Sequence, residues 1–129
     1  MDPSICDPEA ALPLEPVGSS LKDLRAMPEM VRREFGAAIW MAQRGEVPED
    51  ATPWGEGLPR EIKKFALRHD SDTYPMAFTW ALPGAVYLLD VFKKKSSVGR
   101  ATPKKDLDRI ASRWEDARAH HDRHYGGGP

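Results

Sequence analysis

From Val31 onward the apolar residues recur at helical spacing. Val31, Phe35, Ile39 and Ala42 fall at i, i+4, i+8 and i+11, which is one face of a helix. Pro28 fits the first turn of this helix better than the interior of a longer one, and Gly45 closes it. The pattern therefore predicts two successive helices, over about 20–26 and 28–44. Ser19 and Ser20 offer N-caps to the first, with Asp23 at N3 if Ser20 caps. Ahead of them Leu14 to Val17 reads as a short strand, and residues 1–13 as an acidic, proline-rich arm.

After Gly45 the period changes. Residues 46–60 hold three prolines and two glycines and read as a loop. Arg60 to His69 carries Ile62, Phe65 and Leu67, an alternation with one slip that a β-bulge would accommodate. His69-Asp70-Ser71-Asp72 is a turn signal. Tyr74, Met76, Phe78, Trp80 and Leu82 then alternate strictly, as on one face of a strand. Leu82-Pro83-Gly84-Ala85 puts Pro and Gly at the centre of a type II turn. Ala85 to Phe92 is apolar on both faces, as a central strand is. A last helix opens at Thr102-Pro103, with Leu107, Ile110, Ala111 and Trp114 on its buried side. Beyond Ala119 the chain turns polar, and residues 120–129 read as a His- and Gly-rich tail. The order is β-α-α-β-β-β-α. The prediction is one α+β domain over 14–119, a small antiparallel meander with two N-terminal helices and a C-terminal helix.

Composition narrows the function classes. No apolar run approaches the roughly 18 residues of a membrane span. The start of the chain lacks the charged and apolar regions of a signal peptide. The single cysteine, Cys6, has no intrachain partner, and no His or basic residue near it suggests a nucleophile. A reducing cytoplasm is the expected compartment. The net charge is −1, but it is unevenly spread. Asp2, Asp7, Glu9 and Glu15, with no Lys or Arg among residues 1–16, contribute −4, which leaves the body of the chain at +3. Residues 93–105 carry Lys93, Lys94, Lys95, Arg100, Lys104 and Lys105 and no acid. Such a block suits a phosphate backbone, although a solvated positive loop has the same composition.

Two stretches carry a family resemblance: GSSLKDLRAMPEMVRREFGAAIWMAQRGE at 18–46 and VYLLDVFKKKSSVGRATPKKDLD at 86–108. The GSSLKDL opening, the F-x-K-K at the end of a strand and the T-P-K opening the last helix resemble the HigB-like, phage-associated branch of the RelE/ParE toxins. HDSDTY at 69–74 fits the turn before that family's third strand. The resemblance spans about 17–115. It implies a RelE-like fold, cleavage of translated mRNA on the ribosome without metal or cofactor, and a cognate antitoxin of helix-turn-helix type.

Cleavage of that kind uses the RNA 2′-OH as nucleophile. It needs a base for the 2′ proton, cations for the phosphorane charge and a proton for the leaving 5′-oxygen. Lys94 and Lys95 match the family's lysine pair, and Lys104 its T-P-K lysine at a helix N-terminus, where phosphate is favoured. Arg68 and Lys64, at even spacing, share a strand face and complete the cationic set. Lys94, Lys95, Arg68 and Asp90 are the candidate catalytic residues, and Lys64, Lys93, Arg100, Lys104 and Lys105 the candidate RNA-binding cations. A lysine crowded by other cations can act as a base, and Asp90 is a further candidate base, or else the ion-pair partner of a nearby lysine. Tyr74 is the candidate for stacking an unstacked base, whereas Tyr87 reads first as core. The chain departs from the family pattern at Pro75, at Ala81 where arginine is common, and at Asp90 where histidine often precedes F-x-K-K. These departures keep open a second class, a binding protein that acts on an antitoxin, the ribosome or another target without cutting RNA. A phage structural protein is a third. His120, His121 and His124 have some metal-ligand spacing but read as a polar, fraying helix end. The four tryptophans read as core or loop anchors.

Overall fold

The computed structural model describes residues 11–95 and 101–126. Its elements are β1 (Leu14–Pro16), α1 (Ser20–Arg25), α2 (Glu29–Gln43), β2 (Thr52–Pro53), β3 (Lys63–His69), β4 (Asp72–Thr79), β5 (Val86–Val91), β6 (Lys94–Lys95) and α3 (Lys104–His124). The fold is α+β, with the two predicted N-terminal helices and the C-terminal helix in place. The sheet runs β1-β5-β4-β3-β2. Strand β6 pairs with Asp72 and Thr73 at the start of β4, beyond the end of β5. Between β5 and β6 the Phe92 amide donates to the Pro75 carbonyl at 3.2 Å, so the two strands follow one another along the same side of β4.

Strands β3, β4 and β5 form the predicted antiparallel meander. The sheet is not antiparallel throughout, however, because β1 lies parallel to β5, with Leu14 opposite Val86 and Pro16 opposite Leu88. Parallel neighbours require a long connection, and here both N-terminal helices and the β3–β4 hairpin lie between the two strands. A three-residue strand has too little pattern to announce its partner.

Helices α1 and α2 cover one face. Val31, Phe35, Ile39 and Ala42 pack there against Tyr74, Met76, Phe78, Val86 and Leu88. Helix α3 covers part of the other, where Ile110, Trp114 and Ala117 meet Ile62, Ala77, Tyr87 and Leu89. Strand β5 is buried on both sides because both its faces are covered, and its apolar run reflects that.

Four local expectations change. The slip foreseen in β3 is no bulge, since that strand begins only at Lys63 and Ile62 closes a turn to Pro59. The irregularity lies on β5: Ala77 opposes Asp90 while the next residue, Phe78, opposes Leu88. Leu89 is the extra residue, and Leu89 and Asp90 both turn toward α3. The 46–60 loop contains an edge strand, β2, paired with Lys63 and Lys64; Pro53 is tolerated there because it sits at an edge. Ser20 does not cap α1, because its hydroxyl donates to the Leu88 carbonyl at 2.9 Å and so ties the helix to β5. Helix α3 continues through the expected tail to His124. His121 is buried, with Nε2 2.6 Å from the Pro83 carbonyl, and the Tyr87 hydroxyl lies 2.8 Å from His120 Nδ1.

The two predicted turns form as read. Asp70 and Ser71 both have positive φ, as the two-residue turn of a tight hairpin requires. Gly84 has φ +96°, the value demanded at the third position of a type II turn.

Candidate functional site

The β3–β4 hairpin projects beyond the part of the sheet that α3 covers. Phe65 and Leu67 turn toward α2, so Lys64, Ala66 and Arg68 turn to the opposite face. There Arg68 is opposite Thr73, and Thr73 in turn is opposite Lys94. Directly paired residues share a face, so Arg68, Thr73 and Lys94 form one row across three strands. Neighbouring strands lie about 4.8 Å apart, which puts the two cations' backbones about 10 Å apart, within reach of one bound phosphate. Arg68 is exposed, and Thr73 and Lys94 are half-buried, so the row is open at its Arg68 end.

Lys64 continues the cationic face toward the core. Its ammonium lies 5.0 Å from the Trp54 ring centroid. The Trp54 and Phe92 rings are 6.3 Å apart, and the Arg109 guanidinium carbon sits 5.4 Å from the Phe92 ring. The result is a ladder, Lys64–Trp54–Phe92–Arg109, in which two aromatic rings are closed at each end by a cation. It joins β3 to α3 beneath the row.

Glu56 locks one end of this ladder. It accepts the Trp54 indole N–H at 3.1 Å, the Thr102 amide at 2.8 Å and the Thr102 hydroxyl at 2.6 Å. Burial works to raise the Glu56 pKa, but the Thr102 and Trp54 hydrogen bonds and the Lys64 charge outweigh it and hold it below the ordinary value. Thr102, predicted as a helix cap, is thus the tether between the 46–60 loop and the start of α3.

The other end rests on Asp90, which the structure removes from the role of general base. It is buried. One carboxylate oxygen accepts Arg109 Nε at 2.7 Å and the other Arg113 Nη1 at 3.1 Å. Burial raises its pKa, against the pull of Arg109 and Arg113. Its partners are arginines of α3, not a lysine of the basic block. Tyr74 is corrected as well: it is buried against α2 on the face opposite the row, so it is core and cannot stack a base. Tyr87 is core, as read, with its hydroxyl pushed up to about 12 by burial and by Glu15.

The remaining predicted residues divide. Lys93 pairs with Asp72 at 3.7 Å. Lys104 is exposed at the start of α3 and pairs with Asp108 at 2.7 Å, with Lys105 exposed beside it. The backbone of Lys95 pairs with Asp72, but its side chain lies outside the described residues, as does Arg100. The structure therefore places Arg68 and Lys94 in one row, with Lys64 on the same face four residues away along β3. Sequence reasoning missed Arg109, Arg113 and Glu56. The signal for the arginines was present: one carboxylate in an otherwise apolar central strand needs a buried counter-charge, and two arginines four apart on α3 supply it. Among the described residues no group of His, Cys, Asp and Glu is arranged to hold a metal ion, and no helix is long and apolar enough to cross a membrane.

The profile of the family described as "Phage derived protein Gp49-like (DUF891)" matches residues 22–115. Among solved structures the chain is similar to a double-arginine mutant of the E. coli toxin RelE in the free state. That match has 19% identity and a TM-score of 0.49, and covers 69% of this chain and 87% of that one. No curated protein matches.

Proposed function

Since the chain belongs to the phage-derived Gp49-like family, a RelE/HigB-type toxin family, we propose that it is the toxin of a toxin–antitoxin pair and a ribosome-dependent mRNA endonuclease. The observation that carries this reading is the row of Arg68 and Lys94, with Lys64 behind it, on an open face of a rigid sheet. In-line attack by the 2′-oxygen on phosphorus forms a 2′,3′-cyclic phosphate, breaks the P–O5′ bond and leaves a 5′-hydroxyl. The negative charge that accumulates on the phosphorane is what fixed cations stabilise. Arg68 offers a planar fork to two of its oxygens. Lys94, between Lys93 and Lys95, is assigned to take the 2′-hydroxyl proton and return it to the leaving 5′-oxygen, and Lys104 with Lys105 to bind the flanking backbone. The reaction uses no cofactor. The partners in this reading are a cognate antitoxin of helix-turn-helix type, the ribosome and its mRNA, all in the cytoplasm.

A second reading has its own support. Among the described residues no Asp, Glu or His belongs to the row, and Asp90 is committed to Arg109 and Arg113. A chain with binding cations and a weakened proton-transfer apparatus would act by occupying an antitoxin or the ribosome. Induced expression in a bacterium, with 5′ ends of translated mRNAs mapped, separates the two. The endonuclease reading expects growth arrest with new cuts inside reading frames, lost in Arg68→Ala, Lys94→Ala and Lys95→Ala variants that remain folded. Arrest without cuts would overturn it in favour of the binding protein.

A further inference from the structure

A cleft of about 390 Å³ opens at the end of β5, where Phe92 leads two residues on to Lys94 of the row. Its walls are Ser19, Asp23 and Met27 on one side, and Phe92, Arg109 and Arg113 on the other. Strand β1 pairs with β5 only as far as Leu88, and α1 lies over the rest of that edge, tied to it through Ser20. The cleft is what remains between α1 and α3. Its volume falls within the range of small-molecule sites, about 300–1,000 Å³, and it combines an apolar side chain on each wall, Met27 and Phe92, with a few placed polar groups.

Those polar groups are held in position before any ligand arrives. Arg109 has Nε on Asp90 and Nη2 on Asp106, at 2.7 and 2.6 Å, which fixes its guanidinium and leaves the Nη1 hydrogens and the second Nη2 hydrogen to donate elsewhere. Arg113 directs three of its five donors to Leu89, Asp90 and Ser19. On the opposite wall the Asp23 carboxylate accepts one hydrogen bond, from the Ser19 hydroxyl at 2.8 Å, and has further acceptor capacity. Between them lie the Phe92 ring and the Met27 thioether, both half-buried. Phe92 belongs at once to the cleft and to the ladder, and Lys93 and Lys94 follow it directly in the chain.

We propose that this cleft receives one unstacked base of the RNA strand bound on the row, and that its donor and acceptor walls select guanine. The inference rests on the RNA-binding reading of the row. An arginine donor suits O6 and N7 of guanine. A carboxylate opposite suits its N1–H and N2–H donors, a pair of neighbouring donors that adenine, cytosine and uracil do not present. Phe92 supplies the stacking surface that makes extrusion of a base favourable.

The test is binding of the full chain to short single-stranded RNAs that differ only at one central base, read by fluorescence anisotropy. Wild type is compared with Asp23→Asn, Met27→Trp, and the Arg68→Ala/Lys94→Ala double variant, each checked for folding by circular dichroism. The expected result is a preference of about tenfold or more for the guanine-containing strand. Asp23→Asn should abolish that preference, and so should Met27→Trp, which fills the cleft; in both, the guanine-containing strand should fall to the affinity of the other strands. The double variant should weaken all strands alike. Loss of binding in the double variant with no guanine preference in wild type would overturn the cleft and leave the row intact. A preference that survives both Asp23→Asn and Met27→Trp would do the same. Binding that is indifferent to Arg68 and Lys94 would overturn the row itself.

Discussion

Replacing Asp90 by Asn separates a structural carboxylate from a catalytic one. Asp90 is 1% exposed, and its two partners differ: the Arg113 side chain is 13% exposed and that of Arg109 34%. Breaking a buried ion pair costs about 3–5 kcal/mol when the surviving charge has nowhere to go. Here the survivors are partly provided for. Arg109 keeps Asp106 and a third of its surface in water, whereas Arg113 keeps only the Leu89 carbonyl and the Ser19 hydroxyl. The cost therefore falls mainly on Arg113, and roughly 2–3 kcal/mol is expected. For a domain of this size that lowers Tm by about 10 °C. Urea denaturation followed by tryptophan fluorescence would read the same loss as a shifted midpoint with unchanged slope. A second substitution sharpens the assay. Arg113→Met in the Asp90→Asn background should cost less than the two single losses added, because the first change has already orphaned the arginine. If Asp90→Asn leaves stability within about 0.5 kcal/mol of wild type yet abolishes RNA cleavage, the clamp is incidental and Asp90 acts on substrate.

Arg68→Ala and Lys94→Ala should each weaken single-stranded RNA binding regardless of sequence, and each should reduce the slope of log affinity against log salt by about 0.7. Glu56 is held below the ordinary glutamate value of 4.5, so its tether is complete above that pH and is lost as pH falls through the lower, folded value. NMR hydrogen exchange at the Thr102 amide should show that protection disappearing only below that ordinary value, and Glu56→Gln should remove the dependence. At the alkaline end, Tyr87 is raised by burial, and Tyr125 by its hydrogen bond to Glu15, each to about 12 from 10.0. Their contribution is complete below the ordinary tyrosine value and disappears as pH rises through about 12. Tm should therefore fall across that interval, less steeply in Tyr125→Phe, while ultraviolet absorbance shows phenol ionisation delayed.

Much of the fold was legible because its signals are local. The α2 stripe, the Pro-Gly turn before β5 and the Thr-Pro opening of α3 each follow from a few neighbouring residues. What escaped depends on residues far apart in the chain. The parallel pairing of β1 spans Leu14 to Val86, and three residues of strand carry no information about so distant a partner. Trp54 looked like a loop residue because its neighbours are proline and glycine. It is buried because Ile62, Phe92 and Lys64 close around it. The polar end of α3 was read as frayed, since three histidines suggest solvent. Pro83, Tyr87 and Glu15 instead give His121, His120 and Tyr125 partners that no helical pattern reveals.

For the candidate site the decisive hidden feature is the bulge on β5. In a regular strand neighbouring side chains alternate, and with Leu89 facing α3, Asp90 would turn toward α2, into an apolar layer with no counter-charge. The extra residue cancels that alternation and puts Asp90 on the α3 side, against Arg109 and Arg113. Arg109, so anchored, stacks on Phe92, Phe92 on Trp54, and Trp54 carries Lys64. The chain then continues from Phe92 to Lys94 of the row. A carboxylate that sequence reasoning placed among the reacting groups therefore acts one layer below them. It anchors the ladder that carries Lys64, and in the endonuclease reading proposed above preorganised cations are the condition for stabilising a phosphorane charge.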